Sequence, residues 1–438
     1  MTNLLIVLAL ILVIAALVQI MRVNELLSEL RKVDVNEVTD RDNDIQGKLF
    51  LIVGFGFIAF VIWQIFAWDY LLLPSAASEH GSQIDGLMKV TMGLILAVFF
   101  IVSPLLFYFV YKYRGNKQKK AFFYSHNDRL EIIWTVIPAI VLTGVIIYGL
   151  RTWDKAMNSD TKGVQVVEIY AKQFDWTARY SGDNNILGRS NYKLWDATDN
   201  PLSLDKLDST GFDDMLTKEL HLVKGRPILL KFRSQDVIHS AYLPHFRVQM
   251  NCVPGLTTQF AFTPTKTTEE MRSDPKIIKQ MEEINEMRSD KGKDQVEFDY
   301  VLLCNKICGG AHYNMQMPVI VETEEAYNNW YKIESLLQSQ KPQISQIEND
   351  KMEIESKKSK IEKEQANGWT NKASQLDEEI KEIDLKLKPI QDINKGLKAL
   401  RDSRMYSDLE KGRDYLEKEI ALKKSTVDKI IELLIKNS

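Results

Sequence analysis

Hydrophobic residues are concentrated in four windows near the start of the chain. The windows span about residues 2–21, 49–67, 90–111 and 132–150, and none of them contains a charged residue. Since roughly 20 consecutive apolar residues are needed to cross a bilayer, each window is long enough to form a transmembrane helix. The alternative is a buried helix of a large soluble protein, and four such runs in close succession argue against it. The pattern therefore predicts a four-helix transmembrane anchor over residues 1–151.

The connections between these windows differ in their content of basic residues. Lys and Arg occur five times in residues 22–48 and six times in residues 112–129, but only once in residues 68–89. The positive-inside rule places the first and third connections in the cytoplasm, and both termini with everything after Arg151 on the outer side. The first window also has the length of a signal peptide, but no Lys or Arg precedes it. Because its removal would leave three spans and invert this arrangement, we expect it to be retained.

After the fourth window the pattern changes to short runs of β-branched and aromatic residues. Five runs have the length of strands: 164–170, 228–232, 258–262, 298–303 and 319–321. Several short strands separated by turns predict an all-β antiparallel sandwich or barrel, here over residues 152–334. Two polar stretches, 181–217 and 265–295, interrupt the strands and are typical of surface insertions. The second of them has helical spacing of its apolar residues.

From about Ser335 the chain becomes charged, with helical periodicity. Apolar residues recur in alternating steps of four and three, which is a heptad-like seam, at Leu376, Ile380, Ile383, Leu387 and Ile390. Pro389 and Gly396 interrupt this seam. A second amphipathic stretch contains Leu416, Ile420, Val427, Ile431 and Leu434. We predict a helical hairpin or coiled coil over residues 335–438 that packs on a partner, since an isolated charged helix pair buries little surface. A self-contained hairpin is the alternative.

Composition narrows the classes of function. The 438-residue chain has a formal net charge of −3, which argues against nucleic-acid binding. No Cys-x-x-Cys-His motif occurs, which excludes a covalently attached c-type haem in this chain. None of the four apolar windows contains His, so the chain offers no intramembrane imidazole to ligate haem.

Two cysteines, two histidines and a methionine form the strongest candidate site. Cys304, Cys308, His312 and Met315 follow one another at intervals of three or four residues, and His239 lies upstream in the segment Asp-Val-Ile-His-Ser. Thiolate, imidazole and thioether groups are the ligands that copper prefers. One loop and one distant strand could bring these five side chains together, so the sequence predicts a copper site.

Other interpretations of these residues remain open. A mononuclear blue-copper site uses one cysteine, so a second thiolate four residues away implies two metal ions. Tetrahedral zinc could use two Cys and two His, but it has no use for Met315. The third cysteine, Cys252, has no partner in the pattern and is best interpreted as a small buried residue. Cys304 and Cys308 could also pair as a disulfide or remain inert.

The pattern C-x-x-x-C-x-x-x-H-x-x-M, with D-V-I-H-S upstream, resembles the binuclear CuA site of subunit II of haem-copper cytochrome c oxidases. The resemblance implies a cupredoxin-like fold for the β-rich region, with the metal ligands on loops at one end. It also implies a binuclear copper cofactor. The implied ligands are His239 and His312, one on each copper, the bridging Cys304 and Cys308, the weakly bound Met315 and the backbone carbonyl of Lys306.

The resemblance also bears on two charged positions. Glu131, in the segment Arg129-Leu-Glu-Ile-Ile-Trp134, matches the start of the family's second transmembrane helix, where a glutamate marks the entrance of a proton pathway into subunit I. A glutamate that snorkels at the membrane interface is the alternative. Lys306 stands where the family usually has a glutamate that helps hold a magnesium ion, and a cation cannot take that role.

The segment 172–180 lies where the family has an aromatic cluster near the copper. An exposed tryptophan there commonly receives the electron, and in this chain Phe174 occupies that position while Trp176 keeps a neighbouring aromatic ring. The resemblance thus implies Phe174 and Trp176 as electron-accepting residues and Asp236 as part of a docking patch. Packing of both rings in the sandwich, and a solvated acid at a strand end, are the alternatives.

We therefore expect the electron-accepting subunit of an aerobic respiratory cytochrome c oxidase in a bacterial inner membrane, with the copper domain on the outer face. Electrons would come from a separate c-type haem donor, stably associated in a supercomplex, and pass to the haems of subunit I. There oxygen would be reduced to water, coupled to proton translocation. A quinol oxidase subunit II and a membrane-anchored copper-binding or scaffold protein without redox role are the alternatives.

Overall fold

The computed structural model describes residues 2–30, 38–157, 163–363 and 370–435. The chain divides into two compact units, one comprising Met1–Asp69 and Met88–Ile146, the other comprising Tyr70–Leu87 and Ile147–Ser438. The first unit is helical and apolar. The second contains two β-sheets, the C-terminal helices and the loop between the second and third helices.

Four long apolar helices are present in the described part of the chain. They are α1 (Thr2–Leu30), α2 (Asp40–Ala67), α3 (Glu79–Lys112) and α4 (Asp128–Met157). Each is long and apolar enough to cross a membrane, and their apolar side chains are largely exposed, as expected for helices that face lipid. Thr39 and Asp42 form a capping box that starts α2, because each side chain bonds the other's backbone N–H. The predicted four-helix anchor is confirmed.

The described residues of the second unit form ten strands. They are β1 (Gln165–Lys172), β2 (Asp175–Tyr180), β3 (Met215–Thr217), β4 (Leu220–Val223), β5 (Ile228–Ser234), β6 (His239–Leu243), β7 (Val248–Cys252), β8 (Thr258–Phe262), β9 (Tyr300–Cys304) and β10 (Gln316–Glu322). They form two five-stranded sheets, in the orders β3-β2-β1-β5-β8 and β4-β10-β9-β6-β7. Apolar side chains of both sheets share one core, so the β-sandwich that we predicted is confirmed.

The sheets are mixed, whereas the sequence predicted only antiparallel pairing. β1 pairs with β5, and β4 pairs with β10, in parallel. Parallel neighbours need a long crossover connection. Between β1 and its parallel neighbour β5, the chain passes through the polar stretch 181–217. This stretch is held by buried Arg179, whose guanidinium bonds Glu168 on β1 and Asp214 at 2.9 and 3.0 Å. The other polar stretch contains α5 (Thr268–Arg272) and α6 (Pro275–Ser289).

The C-terminal helices pack on the sandwich. They are α7 (Glu324–Lys363), α8 (Thr370–Asp402), α9 (Leu409–Lys418) and α10 (Lys424–Ile435). Trp330 of α7 stacks on His221 of β4 with ring centroids 3.8 Å apart, and the Tyr406 hydroxyl donates to Glu322 of β10 at 2.7 Å. Helical structure therefore begins at Glu324, within the region expected to be sandwich. The predicted C-terminal helices are present, and they share the core of the sandwich, a contact that the sequence did not predict.

The loop between α2 and α3 and the first turns of α3 also pack on the sandwich within the second unit. Arg247, which follows β6, makes a bidentate ion pair with Asp85 at 2.8 and 3.0 Å. The Ser78 hydroxyl donates to the carbonyl of Phe246 at 2.7 Å, and the Ala77 N–H donates to the carbonyl of His245 at 2.8 Å. These bonds hold the C-terminal end of β6, which is the end farther from His239.

Candidate metal centre

Four connections between strands meet at one end of the sandwich. They are the β1–β2 turn (172–175), the β5–β6 connection (235–238), the β7–β8 connection (253–257) and the β9–β10 loop (305–315). The Gln173 N–H donates to the Asp236 carboxylate at 2.7 Å, and its side-chain amide donates to the carbonyl of Cys308. A backbone bridge joins Ser234 to Pro254. These bonds hold the four connections together.

The register of the sheet brings His239 to the two cysteines. β6 begins at His239 and pairs with β9, which ends at Cys304, so that Ala241 lies opposite Cys304. The Cys304 N–H donates to the carbonyl of Met315 at 3.1 Å, which closes the β9–β10 loop. A contact between residues 65 positions apart is thus fixed by strand pairing.

All six groups that the resemblance implies as ligands converge here. The Sγ atoms of Cys304 and Cys308 are 3.9 Å apart, so they are not joined as a disulfide, whose S–S bond is about 2.05 Å. The remaining distances are 3.8 Å from Cys304 Sγ to His239 Nδ1, 3.2 Å from Cys304 Sγ to the carbonyl of Lys306, 3.6 Å from Cys308 Sγ to His312 Nδ1 and 3.8 Å from Cys308 Sγ to Met315 Sδ.

The donor set is symmetrical about the two sulfurs. Each sulfur has one imidazole Nδ1 and one further donor beside it, a backbone carbonyl at Cys304 and a thioether at Cys308. His239, Cys304, Cys308 and Met315 are buried, whereas His312 is partly exposed. Two thiols, two imidazoles and a thioether are soft and borderline ligands, so the residues present fit a pair of copper ions.

Burial and the neighbouring Cys304 raise the pKa of the Cys308 thiol to about 11. Without a metal ion this thiol is therefore protonated at neutral pH, and a bound metal ion has to displace the proton. Burial likewise raises the pKa of Cys252 to about 12. Cys252 lies opposite His239 on β7 and is fully buried, as the small core residue that the sequence predicted.

Asp236 has a role that the sequence did not predict. Its carboxylate lies 2.9 Å from Nε2 of His239 and also accepts the backbone N–H groups of Gln173 and Val237 at 2.7 Å. Burial opposes ionisation of Asp236, but the hydrogen bonds from His239, Gln173 and Val237 outweigh it and lower the pKa of this carboxyl. The bond to Nε2 leaves Nδ1 facing Cys304, so Asp236 orients the imidazole for metal binding. The spacing of three residues between Asp236 and His239 is the only signal of this in the sequence.

The two aromatic residues of the β1–β2 hairpin differ in position. Trp176 is 1% exposed, and its indole N–H donates to the carbonyl of Met315 at 3.4 Å while its ring lies 6.1 Å from that of His239. Trp176 therefore packs inside the sandwich, beside His239 and Met315. Phe174 is 36% exposed and lies over the β9–β10 loop, since a Cβ atom at Gly309 would be 2.8 Å from its ring.

The side chains of Lys306 and Glu131 are not among these donor groups. The Lys306 side chain is exposed, and only its carbonyl approaches Cys304. Glu131 lies in the first turn of α4, in the other unit. His221 and His245 lie elsewhere in the second unit, where His221 bonds Glu322 at 2.9 Å.

Comparison with known proteins gives consistent results. Residues 62–152 match the family described as cytochrome c oxidase subunit II, transmembrane domain. The alternative cytochrome c oxidase subunit 2 of Bradyrhizobium diazoefficiens is 27% identical over 64% of this chain and 89% of that protein. The cytochrome c oxidase subunit 2 of a Synechocystis strain is 21% identical over 64% of this chain and 80% of its own length.

Solved structures were also compared. The periplasmic domain of subunit II of the cytochrome oxidase of Bradyrhizobium japonicum has 17% identity and a TM-score of 0.24, and the match covers 39% of this chain and 92% of that domain. The spans, the sandwich and the sequence relatives together identify the chain as a membrane protein and a component of an oxidoreductase complex. The family model that matches the chain and its sequence relatives are those of cytochrome c oxidase subunit II.

Proposed function

We propose that this chain is the electron-accepting subunit of a cytochrome c oxidase and that it holds a binuclear CuA centre. The observation that supports this most directly is the pair of thiols 3.9 Å apart, each with its own imidazole nitrogen within 4 Å. Two copper ions bound there would take up one electron at a time from a c-type haem donor and pass it to the haems of subunit I. Reduction of oxygen to water and proton translocation would take place in that partner chain.

The protein contributes rigidity to this centre. The Asn305 N–H donates to the carbonyl of Ser240 at 2.8 Å, and Asp236 holds the ring of His239 from the side away from the sulfur. Trp176 fills the space beneath Met315. Ligands that are tied to strands in this way move little when the charge of the centre changes, which suits fast electron transfer.

The surroundings of the centre fit roles that the family resemblance implied. The exposed ring of Phe174, which lies over the loop of Cys308, is a point where an electron could enter. The basic connections between the spans favour an outer-facing sandwich in a bacterial plasma membrane. Glu131 in the first turn of α4 is suited to the entrance of a proton pathway. Because position 306 is a lysine, we propose no magnesium site there.

The test is the metal content and electronic spectrum of the full-length chain purified in detergent and loaded with copper. We expect two coppers per chain and a purple centre in which both coppers share one unpaired electron, since two bridging thiolates with similar end ligands allow that sharing. One copper per chain, or a four-line hyperfine pattern of localised Cu(II), would overturn the proposal.

Two variants sharpen this test. Cys308→Ser removes one of the paired sulfurs and should leave a mononuclear site at most. Cys252→Ala changes a buried cysteine of the neighbouring strand and should keep the binuclear spectrum, so it is the matched control.

A further inference from the structure

The connection between α3 and α4 carries an unbalanced positive charge. Residues 112–127 contain five Lys or Arg residues and no Asp or Glu. The five are Lys112, Arg114, Lys117, Lys119 and Lys120. Because α3 and α4 are consecutive apolar spans, this connection lies at one surface of the membrane. A cluster of about four to eight Lys or Arg residues next to a transmembrane helix is typical of a segment that binds anionic lipid headgroups.

The first part of this connection is held by the start of α2. The Arg114 guanidinium pairs with the carboxylate of Asp44 at 2.7 Å, and the backbone N–H of Lys117 donates to the carboxylate of Asp40 at 2.9 Å. Asp44 also pairs with Lys48 at 2.6 Å. These two carboxylates of α2 are therefore already engaged, and they hold the connection as far as residue 117.

Lys119 and Lys120 are exposed, and among the described residues no carboxylate pairs with their side chains. The backbone N–H of Lys119 donates to the carbonyl of Asn116 at 3.1 Å, in the turn that follows the part held by α2. Each Lys or Arg close to an anionic membrane surface adds to the attraction between the segment and that surface. Two adjacent ammonium groups are thus available to an anion outside the chain.

Three aromatic residues follow directly. Phe122 and Phe123 are each 88% exposed, and Tyr124 is 62% exposed. The rings of Phe122 and Tyr124 stack with their centroids 5.9 Å apart. Aromatic rings beside basic side chains are typical of segments that lie in the membrane interface, where the rings enter the boundary of the acyl chains and the cations meet the headgroups. A small soluble anion would give the rings no partner, so the pattern favours a lipid.

We propose that residues 119–124, which we call the basic-aromatic segment, bind an anionic phospholipid of the surrounding bilayer. The ammonium groups of Lys119 and Lys120 contact its phosphate, and the rings of Phe122 and Phe123 contact its acyl chains. The bound lipid holds the connection at the membrane surface and so fixes where α3 and α4 leave the bilayer. This inference does not depend on the proposed copper centre, because the segment lies in the other compact unit.

The test measures lipid binding to the full-length chain purified in mild detergent. Native mass spectrometry gives the apparent affinities for phosphatidylglycerol and for phosphatidylcholine, and inorganic phosphate is added as a competitor. The double variant Lys119→Gln/Lys120→Gln removes both charges, whereas Lys119→Arg/Lys120→Arg keeps them. Lys423→Gln/Lys424→Gln is the matched control, since it also removes two adjacent exposed lysines but lies in the second unit.

We expect the wild-type chain to bind phosphatidylglycerol about tenfold more tightly than phosphatidylcholine, because the two lysines favour the anionic headgroup. The glutamine variant of Lys119 and Lys120 should lose this preference, and the arginine variant and the matched control should keep it. Phe123→Ser should weaken the binding of phosphatidylglycerol by about threefold through the loss of apolar contact. Phe212→Ser, which changes a 74% exposed phenylalanine of the second unit, should leave it unchanged.

The melting temperature of each variant is measured in parallel, and it should match wild type because every changed side chain is exposed. Equal affinity of the wild-type chain for the two lipids would overturn the proposal, and so would an unchanged preference in the glutamine variant of Lys119 and Lys120. Displacement of phosphatidylglycerol by an equal concentration of inorganic phosphate would also overturn it, since the segment would then be a site for free anions instead of lipid.

Discussion

At the scale of single residues, the centre depends on groups that are not themselves ligands. Asp236 fixes the imidazole of His239, and Gln173 donates to the carbonyl of Cys308 through its side-chain amide. The first contact is local, whereas the second joins two connections that are 135 positions apart in sequence. The proposed ligand residues can be predicted from their spacing, but the contact of Gln173 with Cys308 is seen only in the folded chain.

Gly309 illustrates how closely the ligand loop is packed. Its φ of +146° is a conformation that side-chain-bearing residues rarely adopt, and a Cβ there would lie 2.8 Å from the ring of Phe174 and from the amide of Gln173. We expect Gly309→Ala to destabilise the loop by about 1–3 kcal/mol and to reduce copper loading. Thermal melting and bound copper per chain measure the two effects.

The neighbouring glycine provides the control for this prediction. A Cβ at Gly310 would meet nothing within 4 Å, and Gly310 does not adopt a positive φ. Gly310→Ala should therefore melt within a few degrees of wild type and bind copper normally. If both substitutions had the same effect, the inference that position 309 requires glycine would be wrong.

At the scale of elements, local patterns predicted the type of element better than its partners. The four spans and the strands β1, β5, β8, β9 and β10 follow directly from runs of apolar residues and from β-rich segments. The sequence did not predict the other five strands, β2, β3, β4, β6 and β7. Parallel pairing of β1 with β5 could not be predicted, because it depends on how the long insertion returns the chain to the sheet. Docking of α7 was missed for the same reason, since the stacking of Trp330 on His221 joins residues 109 positions apart.

The contact between β4 and α7 contains a buried titratable group. His221 is 1% exposed, lies under Trp330 and faces Glu219 and Glu322, with Nδ1 2.9 Å from Glu322. Burial lowers the pKa of His221, but the hydrogen bonds and charges of Glu219 and Glu322 outweigh it and raise this pKa above its ordinary value. Tyr406 donates to the other oxygen of Glu322 and completes the contact.

This arrangement predicts how stability depends on pH. Because the pKa of His221 is higher in the folded chain than the unfolded value of about 6.5, the charged imidazole stabilises the fold fully below that pH. The contribution is lost as the pH rises through the folded-state pKa. We expect the melting temperature to fall from pH 6 toward alkaline pH, and His221→Gln to remove part of that dependence. A His221→Gln profile parallel to wild type would contradict this assignment.

At the scale of the whole molecule, the sandwich and the C-terminal helices form one structural unit. Their buried side chains form a single cluster that runs from Val167 on β1 to Leu434 on α10. Removal of everything after residue 335 would therefore uncover the core, with Trp330 and Ile333 losing the residues that cover them. A truncated chain of this kind should lose its fold, so its behaviour says nothing about partners of the tail.

Among the described residues of the helical pair, 349–363 and 370–386 lie outside this core. We call residues 349–386 the distal arm; within it Lys351 pairs with Asp384 at 2.6 Å, and Leu385 is 77% exposed. In the described residues of this arm, most side chains of α7 and α8 are polar and exposed, so they do not belong to the core of the sandwich. The arm is therefore the part of the tail that is free to hold a partner, such as a stably associated haem c protein.

Removal of the distal arm tests whether it holds a partner. Replacing residues 349–386 with a short Gly-Ser turn joins α7 to α8 at positions that already lie side by side, as the Lys351–Asp384 pair shows. We expect the variant to keep its melting temperature to within a few degrees and to keep its copper spectrum, because the removed residues lie outside the shared core. Mild-detergent purification of the oxidase should then yield less c-type haem per haem of the catalytic subunit than wild type does. An unchanged ratio in a folded, copper-loaded variant would show that the arm does not hold the donor.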